Sequence, residues 1–329
     1  MGRAGFRIGV VGATGALGVE VLEMLGVSSV PVREIVPLAT DRSLGESIDF
    51  QGSVYPIETD DSRVTALDLI LLCAPPDASL EFVHRALKEQ IPCIDLSGAT
   101  SGSDDVPMRV AGYGALPEAA PLIALPPSPT LALVMALQPL VADAGLCRVS
   151  ATVLEAASAA GKEGVASLFR ESIAVFNQET PPAPTVFPTP VAFDCNAGAD
   201  DLDPSGSSPR EQALIRNLGV LLGPDVKLAT TLLQVPVFAG LGAVLSIETE
   251  RDLSPSEAAD RMSKAPGVEL WPDGQAGPTT RSAAGRDHVI VGRLRRDPTA
   301  TRGLQLWLVA DPLRLAASHA IQLATLRLG

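Results

Sequence analysis

The sequence predicts two domains of different class: an α/β domain with a parallel, doubly wound sheet, then an α+β domain with a mixed, largely antiparallel sheet. In the first hundred residues, short apolar runs alternate with segments of helical period, the pattern of a parallel sheet covered on both faces. After about residue 147 the apolar runs lengthen and begin to alternate residue by residue, so one face is covered. A length of 329 residues favours two cores over one.

Phe6–Val11 reads as the first strand, followed at once by Gly-Ala-Thr-Gly-Ala-Leu-Gly. Residues 16–25 then keep a helical period, with Leu17, Val21, Met24 and Leu25 on one side and Gly26 as the stop. Further strands are expected at 32–39, 67–73 and 92–96, with a helix at 78–89. In the second half, strands are expected at 149–155, 227–237, 243–250, 289–294 and 303–310, with helices at 162–177, 209–222 and 254–265. The 303–310 run places Leu304, Leu306 and Leu308 against Gln305, Trp307 and Val309. Residues 181–209 are rich in Pro, Gly, Ser and Asp, and read as a long surface loop or an arm crossing a subunit interface. An amphipathic helix at 312–326 is expected to return to the first domain. The domain boundaries follow: 1–127 with 311–329, and 128–310.

Composition narrows the function. The net charge of −13 repels nucleic acid and anionic membranes, so both are set aside as partners. Hydrophobic residues make up 46 %, yet no apolar run approaches the ~20 residues of a membrane span. The first strand starts too early to leave room for a signal peptide, and a cytoplasmic location is expected. Cys73, Cys93, Cys147 and Cys195 show no metal or redox spacing, and no metal site is expected.

Gly12, Gly15 and Gly18 stand between a strand and a helix, where glycines permit a tight turn and close approach of backbone to a pyrophosphate. The competing reading is a glycine turn kept for helix–sheet packing. Dinucleotide binding is the better account because the loop follows the first strand directly. At the end of the second strand an acidic residue would hold a ribose diol and a basic one a 2′-phosphate. The chain offers both, Asp41 and Arg42, so the residues alone leave NAD and NADP open.

Six segments occur in a familiar order: Gly12–Gly18, Leu-Ala-Thr-Asp-Arg-Ser, Ile-Asp-Leu-Ser-Gly-Ala, Ser-Ala-Ala-Gly, Val-Pro-Val-Phe-Ala-Gly and Val-Gly-Arg-Leu-Arg. With these, the chain resembles aspartate-semialdehyde dehydrogenases from end to end, and looks closest to their divergent Usg-type branch. The resemblance implies a Rossmann domain, a second domain that makes most of a homodimer interface, and a cofactor cradle of Gly12, Thr14, Gly15, Ala16, Leu17, Gly18, Thr40, Arg42 and Ser43. Residues matching Arg42 and Ser43 hold the 2′-phosphate in the family, which tips the expectation to NADP, with NAD as the lesser alternative.

The resemblance also marks where the family's chemistry is missing. That chemistry uses a cysteine thiolate to attack an aldehyde, a histidine to move the proton and basic residues to hold anions. The cysteine position holds Ser128, the glutamine Glu155, the arginine before Val-Pro-Val Gln234, and the histidine Leu241. A phosphate-binding arginine falls at Ser101, a substrate-binding glutamate and lysine at Arg210 and Ala213, and two asparagines beside the nicotinamide at Leu125 and Pro127. Ser128-Pro129 reads instead as an N-cap followed by the favoured first helical residue. His84, His288 and His319 lie elsewhere in the pattern. Pro75-Pro76 replaces a glycine pair and removes backbone donors.

Three functions are therefore weighed: a dinucleotide-binding, dimerising homologue without the standard activity; an oxidoreductase on another substrate, with Glu155 as its ionisable group unless that carboxylate serves a nearby arginine; and a structural module with an unused pocket.

Overall fold

The computed structural model describes residues 5–59, 64–114, 120–197, 202–272 and 274–329. The chain divides into two compact units, Met1–Leu131 with Ala316–Gly329, and Ala132–Leu315. No helix among the described residues is long and apolar enough to cross a membrane.

The first unit runs β1 (Phe6–Val11), α1 (Ala16–Val27), β2 (Val32–Leu38), a hairpin of β3 (Ser47–Phe50) and β4 (Ser53–Pro56), β5 (Leu69–Leu72), α2 (Pro76–Lys88), β6 (Cys93–Asp95) and β7 (Leu122–Ala124). Five strands form one parallel sheet in the order β2-β1-β5-β6-β7. Ile8, Val10, Ile70 and Leu72 are fully buried, as near-continuous apolar strands require when both faces are covered. From β1 the chain first moves outward to β2, then returns to place β5 on the other side of β1. The sheet therefore has a switch point between β1 and β5, where open α/β sheets bind ligands.

Two features of this unit differ from expectation. Helix α1 passes Gly26 and ends at Val27, with Ser28 donating from both N and Oγ to the Leu25 carbonyl. A Cβ on Gly26 would lie 3.5 Å from the Phe50 ring, an ordinary contact, so packing does not demand glycine there. The β3–β4 hairpin and β7 were not anticipated.

Helix α3 (Ser128–Ala144) leads out of the first unit, and Leu131–Leu137 are all buried. The first helical bond runs from Leu131 N–H to the Pro127 carbonyl, so Ser128 is the first helical residue rather than the cap.

The second unit contains β8 (Leu146–Glu155), α4 (Gly161–Phe176), β9 (Asn196–Ala197), α5 (Pro209–Leu222), β10 (Lys227–Gln234), β11 (Leu241–Thr249), α6 (Pro255–Ser263), β12 (Val268–Leu270), β13 (Val289–Arg296) and β14 (Gly303–Ala310). Seven strands order as β12-β13-β14-β11-β8-β10-β9. The β13-β14-β11-β8 centre is antiparallel; β10 and β12 join parallel to their neighbours. The sheet is thus mixed. Leu304, Leu306 and Leu308 are buried as the alternation requires. Helices α5 and α6 open with capping boxes, Ser208 with Glu211 and Ser254 with Glu257, each followed by proline. The final helix, α7 (Pro312–Leu328), is not amphipathic in its middle: Leu315–Ile321 are buried on every side, which small residues such as Ala316, Ala317 and Ala320 allow.

The long loop is anchored to its own unit at Phe187 and Val191, and most of its other described residues are exposed; residues 198–201 lie outside the described part. Phe187 and Val191 join Ala157 and Leu168 in a small core. The buried Glu171 carboxylate on α4 accepts from the Val191 and Ala192 N–H groups and from the Ser167 hydroxyl. One carboxylate therefore satisfies two loop donors that have left water. Glu171→Ala should cost about 1–3 kcal/mol, because the Val191 donor stays buried without an acceptor. Chemical denaturation measures the loss, and limited proteolysis should show faster cleavage within 181–197.

Candidate functional site

At the switch point of the first unit lies a cleft of about 620 Å³, within the size range of small-ligand and cofactor sites. Its walls come from the carboxyl ends of three strands and from α2: Val11, Gly12, Thr14 and Gly15; Leu38 to Asp41; Cys73 to Pro75; and Ala78, Glu81 and Phe82. Gly12 adopts φ +81°, and a Cβ on it would lie 2.6 Å from the Ala74 nitrogen. A Cβ on Gly18 would lie 2.2 Å from the Gly12 carbonyl oxygen. Glycine is therefore required at both positions for β1, β5 and α1 to meet.

The start of α1 has no side-chain cap. Gly15 N–H is used by the Gly12 carbonyl, while Ala16, Leu17 and Gly18 occupy the first turn, where backbone N–H groups lack helical acceptors. Those donors and the positive end of the helix suit an anion. The residues present thus fit the pyrophosphate of a dinucleotide.

Of the expected cradle, Gly12, Thr14, Gly15 and Thr40 line the cleft. Ser43 is buried, its hydroxyl 3.1 Å from that of Thr14, which ties the turn after β2 to the glycine loop. Arg42 is exposed in that turn, and Asp41 rather than Arg42 forms part of the wall. Sequence reasoning missed Glu81 and Phe82. Their signal was helical spacing, since Ala78, Glu81 and Phe82 stand at i, i+3 and i+4.

Beyond β6, the buried Asp95 carboxylate accepts from the N–H and hydroxyl of both Ser97 and Thr100. This fixes the loop that leads to Ser101. Pro75 and Pro76 open α2 and bring no backbone donors to that end of the cleft.

None of the four cysteines stands at the start of α3. Burial, and then the charge of Asp95, push the Cys73 thiol well above its ordinary value and that of Cys93 up to about 12. Neither supplies a thiolate at neutral pH.

In the second unit, strand register places three of the altered positions in one row. Glu155 at the end of β8 pairs with Gln234 on β10 and with Leu241 on β11. All three are buried. Aligned residues of neighbouring strands share a sheet face. The Gln234 amide donates to the Glu155 carbonyl at 3.0 Å. Both Glu155 carboxylate oxygens lie 2.6 Å from one Arg210 guanidinium nitrogen. The Glu155 side chain is 5 % exposed and that of Arg210 46 %. The alternative role weighed for Glu155, service to a nearby arginine, is what the geometry shows. His84 is exposed on α2, His319 is buried in α7, and His288 contacts Glu269 and Asp287 beside β13, so no histidine enters the row.

Two substitutions check these assignments. Gly18→Ala should cost at least about 1–3 kcal/mol in chemical denaturation, because backbone rather than a flexible side chain opposes the new methyl. Arg210→Ala should destabilise by about 1–3 kcal/mol. That is less than a fully buried pair would lose, since water reaches Arg210, but more than a surface pair. Glu155→Gln with Arg210→Ala should recover part of the loss, read as a double-mutant cycle.

Comparison with known proteins agrees with this layout. Residues 7–113 match the family model "Semialdehyde dehydrogenase, NAD binding domain", and residues 137–315 match "Semialdehyde dehydrogenase, dimerisation domain". An aspartate-semialdehyde dehydrogenase of Aquifex aeolicus is 32 % identical, with 98 % of each chain covered. The crystal structure of aspartate semialdehyde dehydrogenase II from Vibrio cholerae, complexed with ASA, superposes with a TM-score of 0.92 at 27 % identity, covering 98 % of both chains. A probable aspartate-semialdehyde dehydrogenase from Pseudomonas aeruginosa gives 0.90 at 26 %, with the same coverage. From its two matched domains and its end-to-end similarity to these relatives, the chain belongs to the aspartate-semialdehyde dehydrogenase family.

Proposed function

We propose that this protein is a homodimeric member of the family, of its Usg-type branch, that keeps a dinucleotide cleft and lacks phosphorylating semialdehyde dehydrogenase activity. The observation that carries the reading is Ser128. A serine hydroxyl is un-ionised at neutral pH and needs an adjacent base to attack a carbonyl. The position the family gives its base is Leu241, and the neighbouring carboxylate, Glu155, is held by Arg210. Gln234 and Ser101 stand where guanidinium groups would hold anions. Removal of one comparable stabilising group typically costs about 3–4 kcal/mol of transition-state stabilisation, and here several are replaced at once.

When bound, a nicotinamide dinucleotide supplies a hydride donor or acceptor. The side chains here support binding of its adenylate half. The glycine loop and first turn of α1 suit the pyrophosphate; the preference for NADP over NAD rests on the resemblance at Arg42 and Ser43, with Asp41 in the wall opposing it. Pro75 and Pro76 weaken the opposite end.

Dimerisation is supported by an apolar face on the matched domain. Phe169, Ile173 and Phe176 follow one side of α4, and Phe193 packs edge-on against Phe176 at 5.5 Å. Phe176 is nevertheless 74 % exposed. A contiguous apolar patch of this kind marks an interaction surface, and a second copy of the chain is the occupant that the dimerisation-domain match supports.

Phosphate-dependent reduction of NADP⁺ with aspartate semialdehyde tests the catalytic reading. Turnover at background level is expected for the wild type, with no substantial gain in Ser128→Cys, because the base and anion clamps stay absent. Wild-type turnover abolished by Ser128→Ala would refute it. Light scattering after size exclusion should give a dimer mass for the wild type and a monomer for Phe176→Glu.

A further inference from the structure

The second unit holds a cleft of about 430 Å³ that the reading above does not use. One wall is the turn after β10, Pro236 to Gly240; the other is the short helical turn Thr280–Ala283 with Ala284, and Asp311 closes one side. Its lining contains two charged groups, Arg281 and Asp311. They are not equivalent. The Asp311 carboxylate is engaged by backbone: one oxygen accepts from Leu313 and Arg314 N–H at the start of α7, the other from Gly285 N–H. The Arg281 guanidinium makes no hydrogen bond or ion pair among the described residues, although carboxylates outnumber cations in this chain by 38 to 25. Around it the walls include the apolar side chains of Pro236, Val237, Phe238 and Ala284.

A planar guanidinium with five donors matches a carboxylate through two parallel bonds. Apolar walls suit a hydrocarbon body. A second negative charge would meet Asp311 in the same cleft and be penalised. We propose that this cleft binds a small monocarboxylate with an apolar body, anchored by Arg281. The site is independent of whether the first unit binds a dinucleotide.

Calorimetric titration of the intact protein with 4-methylpentanoate, succinate and inorganic phosphate tests this. The monocarboxylate should bind tightest. Arg281→Ala and the near-isosteric Arg281→Gln should each weaken it at least about tenfold, the scale of one lost charge-assisted hydrogen bond. Both variants should melt with the wild type, since the side chain is exposed and unpaired, and thermal denaturation separates lost binding from lost fold. Equal binding by both variants, tighter binding of succinate or phosphate, or no binding of any probe at tens of millimolar would each overturn the assignment.

Discussion

The ligand chemistry available to the first unit depends on a steric constraint at Gly12. The loop after β1 passes so close to the end of β5 that a Cβ on Gly12 would press against the Ala74 backbone, and one on Gly18 would press against Gly12 itself. Without those two hydrogens in place of side chains, α1 could not begin where it does. Its uncapped first turn would then not face the mouth of the sheet. The Thr14–Ser43 contact extends the constraint to β2, so the end of the second strand is held to the loop by a hydroxyl pair. The cleft follows from backbone proximity more than from any single polar side chain.

The second unit shows a different economy of charge. The resemblance places glutamine, glutamate and arginine at positions 155, 210 and 234; this chain has Glu155, Arg210 and Gln234. The same three side-chain types are present, cyclically exchanged. The carboxylate now sits buried at the strand end and the guanidinium reaches it from α5 with one face in water. Their pairing leaves neither charge isolated, which a buried carboxylate requires. It also occupies the one group in the row able to move a proton. On the proposed function, the row keeps its buried carboxylate paired and has no free proton carrier.

Much of the first unit was legible because glycines and apolar runs are local signals. Phe6–Val11, the Gly12–Gly18 loop and the 67–73 strand are punctuated by the residues that end them. The β3–β4 hairpin was not legible: its strands are four residues each, too short to show a period, and its turn, Gln51-Gly52, places a non-glycine residue at φ +52°. Strand β7 has three residues, too few to show a period. Gly26 misled because the helix runs one residue past it and is closed by Ser28 instead. At the second site, the sequence supplied the altered positions one at a time. What it could not supply was strand register, which aligns Gln234, Glu155 and Leu241, or a contact such as Glu155 with Arg210, separated by 55 residues.

The proposed function rests on a family scaffold whose glycine loop still holds a dinucleotide. Calorimetric titration of the purified protein with NADP⁺ and NAD⁺ at moderate salt tests it most directly. The account predicts micromolar binding of NADP⁺, weaker binding of NAD⁺, and competition by 2′,5′-ADP but not by nicotinamide mononucleotide. Binding of neither dinucleotide would contradict it and leave the glycine loop as a packing device.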